Sequence, residues 1–101
     1  MKLQELMKFE EKLLLCEYYN KFNMPFSDYV TMDKFLCEVE NITNLYFQLM
    51  DEYKKHINKE DIKNDERIEN LQIYNDKLLN EEIEFNFEPY DEFIAKYIDK
   101  N

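Results

Sequence analysis

The chain contains no glycine, and its two prolines are Pro25 and Pro89. Sheet proteins depend on glycine and proline at their tight turns, so this composition argues against an all-β fold. It also removes the glycine-rich loops with which P-loop and dinucleotide-binding proteins hold phosphates. Asparagine tolerates the left-handed backbone conformation, so we expect it to end helices where glycine normally would, at Asn23, Asn58 and Asn80.

Residues that carry most catalytic and metal-binding chemistry are scarce. The chain has one histidine, His56, one serine, Ser27, and two cysteines, Cys16 and Cys37. A catalytic nucleophile needs a base beside it, and a structural zinc site needs four Cys or His ligands. Neighbouring carboxylates do not indicate a catalytic pair either. With 23 acidic residues in 101, such neighbours are expected from the composition alone. We therefore expect no enzyme, no cofactor and no metal, and both cysteines to be buried free thiols.

Positive charge is also scarce, because 13 Lys and Arg face 23 Asp and Glu for a net charge of −10. Binding to nucleic acid requires cations that neutralise phosphates, so direct nucleic-acid binding is not expected. Anionic membranes would repel the chain, and no apolar run approaches the roughly 18 residues of a membrane span. The first residues lack the pattern of a signal peptide. We expect a cytoplasmic protein, in a host cell if it comes from a phage or mobile element.

What the sequence does contain is enough apolar material for a modest core. The hydrophobic fraction is 45%, with eight Phe and eight Tyr, which argues against intrinsic disorder. A length of 101 residues is typical of one domain, so we expect residues 1–101 to form a single helical domain. The predicted fold is mainly α, a small bundle of three to four helices.

Apolar residues recur every three or four positions in the first two-thirds of the chain, which is the spacing of amphipathic helices. The first helix covers about residues 2–22 and ends at the break before Pro25, since the residue before proline is pushed out of the helical region. The second is expected to be capped by Thr31 and to run to about Ile57. After a polar stretch, a third and shorter helix ends near Asn80.

The second helix carries a heptad-like seam in which apolar residues alternate spacings of four and three. Its members are Phe35, Val39, Ile42, Tyr46, Leu49 and Tyr53. Other apolar residues widen this stripe, which suits the core of a bundle. The alternative is that the Phe35–Tyr53 seam joins two copies of the chain in a homodimer.

From residue 81 onward apolar and polar residues alternate with a period of two. This pattern predicts a short extended strand near residues 83–87. No second segment alternates as cleanly, so three placements stay open: extended chain on the core, pairing with residues 26–30, or pairing with another molecule. Pro89 suits the first turn of a last helix.

The C-terminal fifth of the chain carries half of the net charge, −5 over residues 81–101. Within residues 81–92, acidic residues follow one another with no basic residue between them, and aromatic residues are interleaved. Carboxylates attract a basic partner, and aromatic rings provide contact area at low entropy cost. The candidate partner-binding residues are Glu81, Glu82, Glu84, Phe85, Phe87, Glu88, Tyr90, Asp91 and Glu92. In the alternative interpretation, the aromatic rings face the core and the acids form a solvated rim.

These observations favour a non-enzymatic binding module over an enzyme. The expected partner is a basic, nucleic-acid-binding protein that the module inhibits or adapts, as small acidic proteins of phages and mobile elements do, including anti-CRISPR proteins. This is an analogy of class, because the chain carries no recognised family motif. A structural protein that homodimerises through the Phe35–Tyr53 seam is the alternative.

Overall fold

Helices account for most of the chain in the computed structural model, which describes residues 1–99. The described residues are 79% helical, with four helices and no strand among them. The predicted mainly α bundle is confirmed. The elements are α1 (Leu3–Asn20), α2 (Phe26–Asn58), α3 (Asn64–Leu79), a 3₁₀ turn (Glu88–Tyr90), α4 (Asp91–Phe93) and a π-helical turn (Ile94–Ile98).

Helix α2 is the spine of an elongated molecule. Its 33 residues span about 50 Å at 1.5 Å per residue, and the whole protein measures 56 × 23 × 21 Å. Helix α1 packs against its first half, where the buried Thr43 hydroxyl donates a hydrogen bond to Glu10 Oε2 of α1 at 2.5 Å. Helix α3 runs back along its second half. The two halves of α2 therefore have different neighbours.

The first half of α2 contributes the centre of the core, the fully buried ring of Phe35. Tyr90 stacks on it with ring centroids 4.1 Å apart and planes 5° from parallel. Phe9 of α1 lies at 5.5 Å, and Phe85 and Phe87 lie at 6.0 and 6.1 Å. One aromatic cluster thus joins α1, α2 and the C-terminal part of the chain.

The second half of α2 forms a two-helix arm with α3. Tyr53 stacks on Tyr74 of α3 at 4.2 Å, and the Tyr46 hydroxyl donates a hydrogen bond to Asn75 Oδ1. Together with the buried Phe35, these contacts place most of the predicted seam against the chain's own helices. A homodimer through the Phe35–Tyr53 seam would have to displace them.

Helix α2 begins at Phe26, five residues before the predicted cap at Thr31. The break at residues 23–25 is present, but Pro25 itself occupies the N-cap position, with φ −57° and ψ 149°. Asp28 follows in the first turn, where a negative charge favours the helix dipole. The Thr31 hydroxyl donates to the Ser27 carbonyl at 3.1 Å, a bond made by threonine inside a helix.

The helices end without left-handed residues. Within residues 1–99 no residue has a positive φ, so the prediction that Asn23, Asn58 and Asn80 adopt the left-handed conformation is wrong. Asn80 follows α3 with φ −98°, and its side-chain amide donates to the Asp76 carbonyl at 2.8 Å. The Asn80 backbone N–H donates to the same carbonyl at 3.2 Å, so the side chain adds a second hydrogen bond at the end of α3.

The two cysteines lie in different environments, and both are free thiols. Cys16 is buried, as predicted, and burial raises the pKa of its thiol. Cys37 is exposed, which corrects the prediction that both are buried. Each residue turns a helix by about 100°, and Cys37 follows the buried Leu36 on the side that leads away from the core.

A polar contact ties the C-terminal helical turns to the start of α2. Lys96 Nζ lies 2.8 Å from Asp28 Oδ2, and the Tyr97 hydroxyl donates to the same oxygen at 2.5 Å. These two hydrogen bonds lower the pKa of the Asp28 carboxyl. The last turns are therefore held to α2 by charge as well as by apolar packing.

Replacing Phe35 with alanine is expected to destabilise the protein by about 3 to 5 kcal/mol, because it leaves a cavity among four rings. Phe47→Ala on the same helix is the control, since this ring is 55% exposed. Urea unfolding followed by circular dichroism measures both. Equal losses for the two variants would contradict the central role of Phe35.

Asp28→Asn is expected to lower stability at pH 7, because the carboxylate loses its bonds to Lys96 and Tyr97. A carboxyl with a lowered folded pKa stabilises the protein above its unfolded pKa of about 3.9, and that contribution is lost as the pH falls through the folded value. The gap in melting temperature between wild type and variant should therefore close below about pH 4. Asp33→Asn, an exposed site on α2, should show no such pH-dependent gap.

Candidate partner-binding surface

The segment that carries the candidate residues leaves α3 and first pairs with the start of the chain. Leu3 N–H donates to the Glu81 carbonyl at 3.0 Å, and Ile83 N–H donates to the Met1 carbonyl at 2.7 Å. The pairing amounts to one isolated antiparallel bridge, Lys2 with Glu82. The strand predicted near residues 83–87 is therefore not formed. The backbone pairing with residues 1–3 stops at Ile83, which is where that strand was expected to begin.

The alternation of this segment persists without a strand. Ile83, Phe85 and Phe87 are half-buried and pack on the core, whereas the intervening side chains are exposed. Phe87 also makes an edge-to-face contact with Phe9, with centroids 5.2 Å apart. Of the three placements left open by the sequence, the structure has extended chain on the core, with its entry paired to residues 1–3.

The aromatic side chains that were predicted to contact a partner are therefore packed mainly against the core. Phe85 and Phe87 keep part of their surface, but Tyr90 is only 6% exposed and lies against Phe35. Burial, followed by the nearby Glu38 carboxylate, raises the pKa of Tyr90 to about 12. The Tyr90 ring is therefore placed to hold the segment in position rather than to touch a partner.

The acidic residues of the segment face the solvent. All six are exposed, namely Glu81, Glu82, Glu84, Glu88, Asp91 and Glu92. Glu82 Oε2 lies 3.2 Å from the Met1 amino nitrogen. Asn86 orders the turn before the 3₁₀ helix, since its Oδ1 accepts a hydrogen bond from Glu88 N–H at 3.1 Å. The result is a run of carboxylates on a backbone that is anchored to the core by its aromatic side chains.

One carboxylate near this surface comes from another element. Glu38 of α2 is exposed and raises the pKa of Tyr90, so it lies at the edge of the acidic segment. The sequence offered an indirect signal, because Glu38 follows Phe35 by three positions and so lies one turn along the same side of the helix.

A second group of exposed side chains lies at the other end of α1, in the turn after it and at the first residue of α2. Tyr18, Tyr19, Phe22 and Phe26 are 78%, 69%, 93% and 80% exposed. Tyr18 and Phe22 fall within the amphipathic helix predicted at residues 2–22. A rotation of 100° per residue places Tyr18 on a different side of α1 from the buried Leu6.

Among residues 1–99, no group of three His, Cys, Asp or Glu side chains is arranged to hold a metal ion. Over the same residues, every helix is too short or too polar to cross a bilayer.

Comparison with known proteins adds no relative. No protein-family model matches the chain, and neither curated proteins nor solved structures give a significant match.

Tyr90→Phe is expected to make the protein more resistant to high pH. The folded pKa of about 12 lies above the ordinary value of 10, so the Tyr90 contribution is complete below pH 10 and is lost as the pH rises towards 12. Urea unfolding from pH 8 to pH 11.5 should therefore show a steeper loss of stability in wild type than in the variant. Tyr18→Phe is the control, since this side chain is 78% exposed, and it should follow the wild-type profile.

Proposed function

We propose that the protein is a non-enzymatic binding module whose acidic segment, residues 81–92, engages a basic protein. The observation that carries the proposal is the exposure of all six carboxylates in a stretch of twelve residues that contains no Lys or Arg. Six like charges repel one another, and a basic partner relieves that repulsion. Such a field also accelerates encounter with a cationic surface.

The anchoring of the segment supports the same function. Phe85, Phe87 and Tyr90 hold its backbone on the core, so the carboxylates are presented in one arrangement before binding. A preformed surface loses less conformational entropy on binding than a flexible acidic tail does. More of the interaction free energy then contributes to affinity and to discrimination between partners.

The partner we propose is a nucleic-acid-binding protein, because such proteins carry clustered Lys and Arg for phosphate contacts. A row of carboxylates competes for those cations, so binding would inhibit or adapt the partner. Small acidic phage and mobile-element proteins, including anti-CRISPR proteins, act in this way, and the proposal extends that mode of action to this chain. The proposed place of action is the cytoplasm, of a host cell if the source is a phage or mobile element.

Reversing charge at Glu84, Glu88 and Glu92 to Lys is expected to slow association at least tenfold, because steering by charge contributes about 10- to 1,000-fold to association rates. Dissociation should change less. The measurement is surface-based binding kinetics at several salt concentrations, with poly-L-lysine and with basic proteins captured from a lysate by the wild-type chain. Association of the wild type should slow as salt rises.

The matched control reverses three exposed acids on α3, Glu66, Glu69 and Asp76, which gives the same net charge at another place. This variant should keep most of the wild-type association rate. Equal slowing in both variants would show that net charge alone matters. Unchanged binding in the first variant would refute the proposed surface.

A further inference from the structure

The second half of α1 is apolar on the side that faces away from the core. Leu6, Leu13 and Cys16 of α1 are buried, as a core-facing stripe requires. The opposite side and the turn after it carry a second apolar group, which we call the aromatic tip. It consists of Leu14, Leu15, Tyr18, Tyr19, Phe22 and Phe26.

A helix that is apolar all round is normally buried on all sides. In the aromatic tip, Leu15 and Tyr18 lie three positions apart on α1, a spacing that suits packing against a further helix, and Phe22 follows in the turn after α1. Their exposed fractions are 55%, 78% and 93%. Within residues 1–99 α1 thus has a packing face that its own chain leaves uncovered.

The size of the aromatic tip matches a protein interface. Its four rings expose roughly 600 Å², taking about 200 Å² for each complete aromatic side chain. The two leucines bring the area close to the roughly 800 Å² that each partner contributes to a stable interface.

The whole molecule also exposes more surface than its mass requires. The accessible surface is 7540 Å², whereas a compact monomer of 12.6 kDa exposes roughly 6,200 Å². Its radius of gyration is 17.4 Å, against about 13 Å for a compact domain of this length. The excess area exceeds what one protomer covers in a standard dimer.

The charge near the aromatic tip favours a second copy of the chain over a basic partner. Residues 14–30 contain two acids, Glu17 and Asp28, and one base, Lys21, and Asp28 is paired with Lys96. This end is therefore close to neutral in a protein of charge −10. A basic partner finds few carboxylates here, whereas two copies can meet here without bringing many like charges together.

We infer that the aromatic tip is a homodimer interface, in which α1 packs on α1 of a second copy about a twofold axis. A twofold contact uses the same patch on both copies, so a self-complementary apolar surface without strong charge is what it needs. Tyr18 and Phe22, the α1-side rings with the greatest exposure, are the expected anchors, since buried aromatic residues dominate interface energies. This inference uses a surface apart from the acidic segment and does not rest on the proposed binding to a basic protein.

The test is sedimentation equilibrium of the full chain from 1 to 200 µM. The wild type is expected to reach twice its mass of 12.6 kDa. Tyr18→Ser and Phe22→Ser, which leave the net charge unchanged, should each raise the dissociation constant about thirtyfold or more. Their circular dichroism spectra and melting temperatures should stay at wild-type values at concentrations where all variants are monomeric, because both side chains are exposed.

The control is Ile73→Ser on the arm, an apolar side chain that is 60% exposed and should leave the dissociation constant unchanged. A wild type that stays monomeric to 200 µM would overturn the inference. A dimer that Ile73→Ser disrupts and Phe22→Ser does not would overturn it equally. Co-flotation of a monomeric wild type with uncharged phosphatidylcholine vesicles, lost in Phe22→Ser, would assign the tip to a lipid surface instead.

Discussion

The stacking of Tyr90 on Phe35 is the contact on which the rest of the structure depends. Phe35 is the largest fully buried side chain. It lies on α2, which packs against both α1 and the C-terminal part of the chain. Phe9 approaches it from α1, and Phe85, Phe87 and Tyr90 approach it from the C-terminal part. A chain without tryptophan thus builds its core from smaller rings in contact, which join α1, α2 and the C-terminal part of the chain.

Helices with a clear period were predictable, because burial of one face is a local property of α1, α2 and α3. Their ends were less so: a threonine at position 31 and a proline at position 25 both suit a helix start, and the sequence does not rank them. The fate of residues 83–87 depended on a partner strand, which the sequence does not reveal. Asn80 ends α3 as predicted, but with a right-handed backbone, and both its backbone N–H and its side-chain amide donate to the Asp76 carbonyl.

The candidate surface was predictable only in its charged half. Carboxylates stay in water unless they are paired, so the exposure of Glu84 and Glu88 follows from chemistry alone. Aromatic residues occur both in cores and in interfaces, so their type alone does not predict which. Phe87 packs on Phe9, 78 positions away in the sequence. The same ambiguity concealed the exposure of Tyr18 and Phe22 in the helix predicted at residues 2–22, since apolar residues on two sides of a short helix look like one broad face.

The acidic segment and the aromatic tip are built from different residues of the chain. The acidic segment acts over distances of a Debye length, about 10 Å at 0.1 M salt, whereas the aromatic tip acts only on contact. These surfaces respond to different conditions, because salt weakens the first and leaves the second largely unaffected. Variants that change one surface can therefore be studied while the other is kept intact.

The distance in sequence between Phe35 and Tyr90 has a consequence for the order of events during synthesis. A ribosome that adds about 5 to 20 residues per second needs roughly 3 to 11 seconds to pass from one to the other. Throughout that interval the nascent α1–α2 hairpin lacks the ring that stacks on Phe35, and its apolar side is open to water and to other chains. A polypeptide that terminates before Tyr90 lacks the contacts that bury Phe35 and is therefore a substrate for chaperones and proteases.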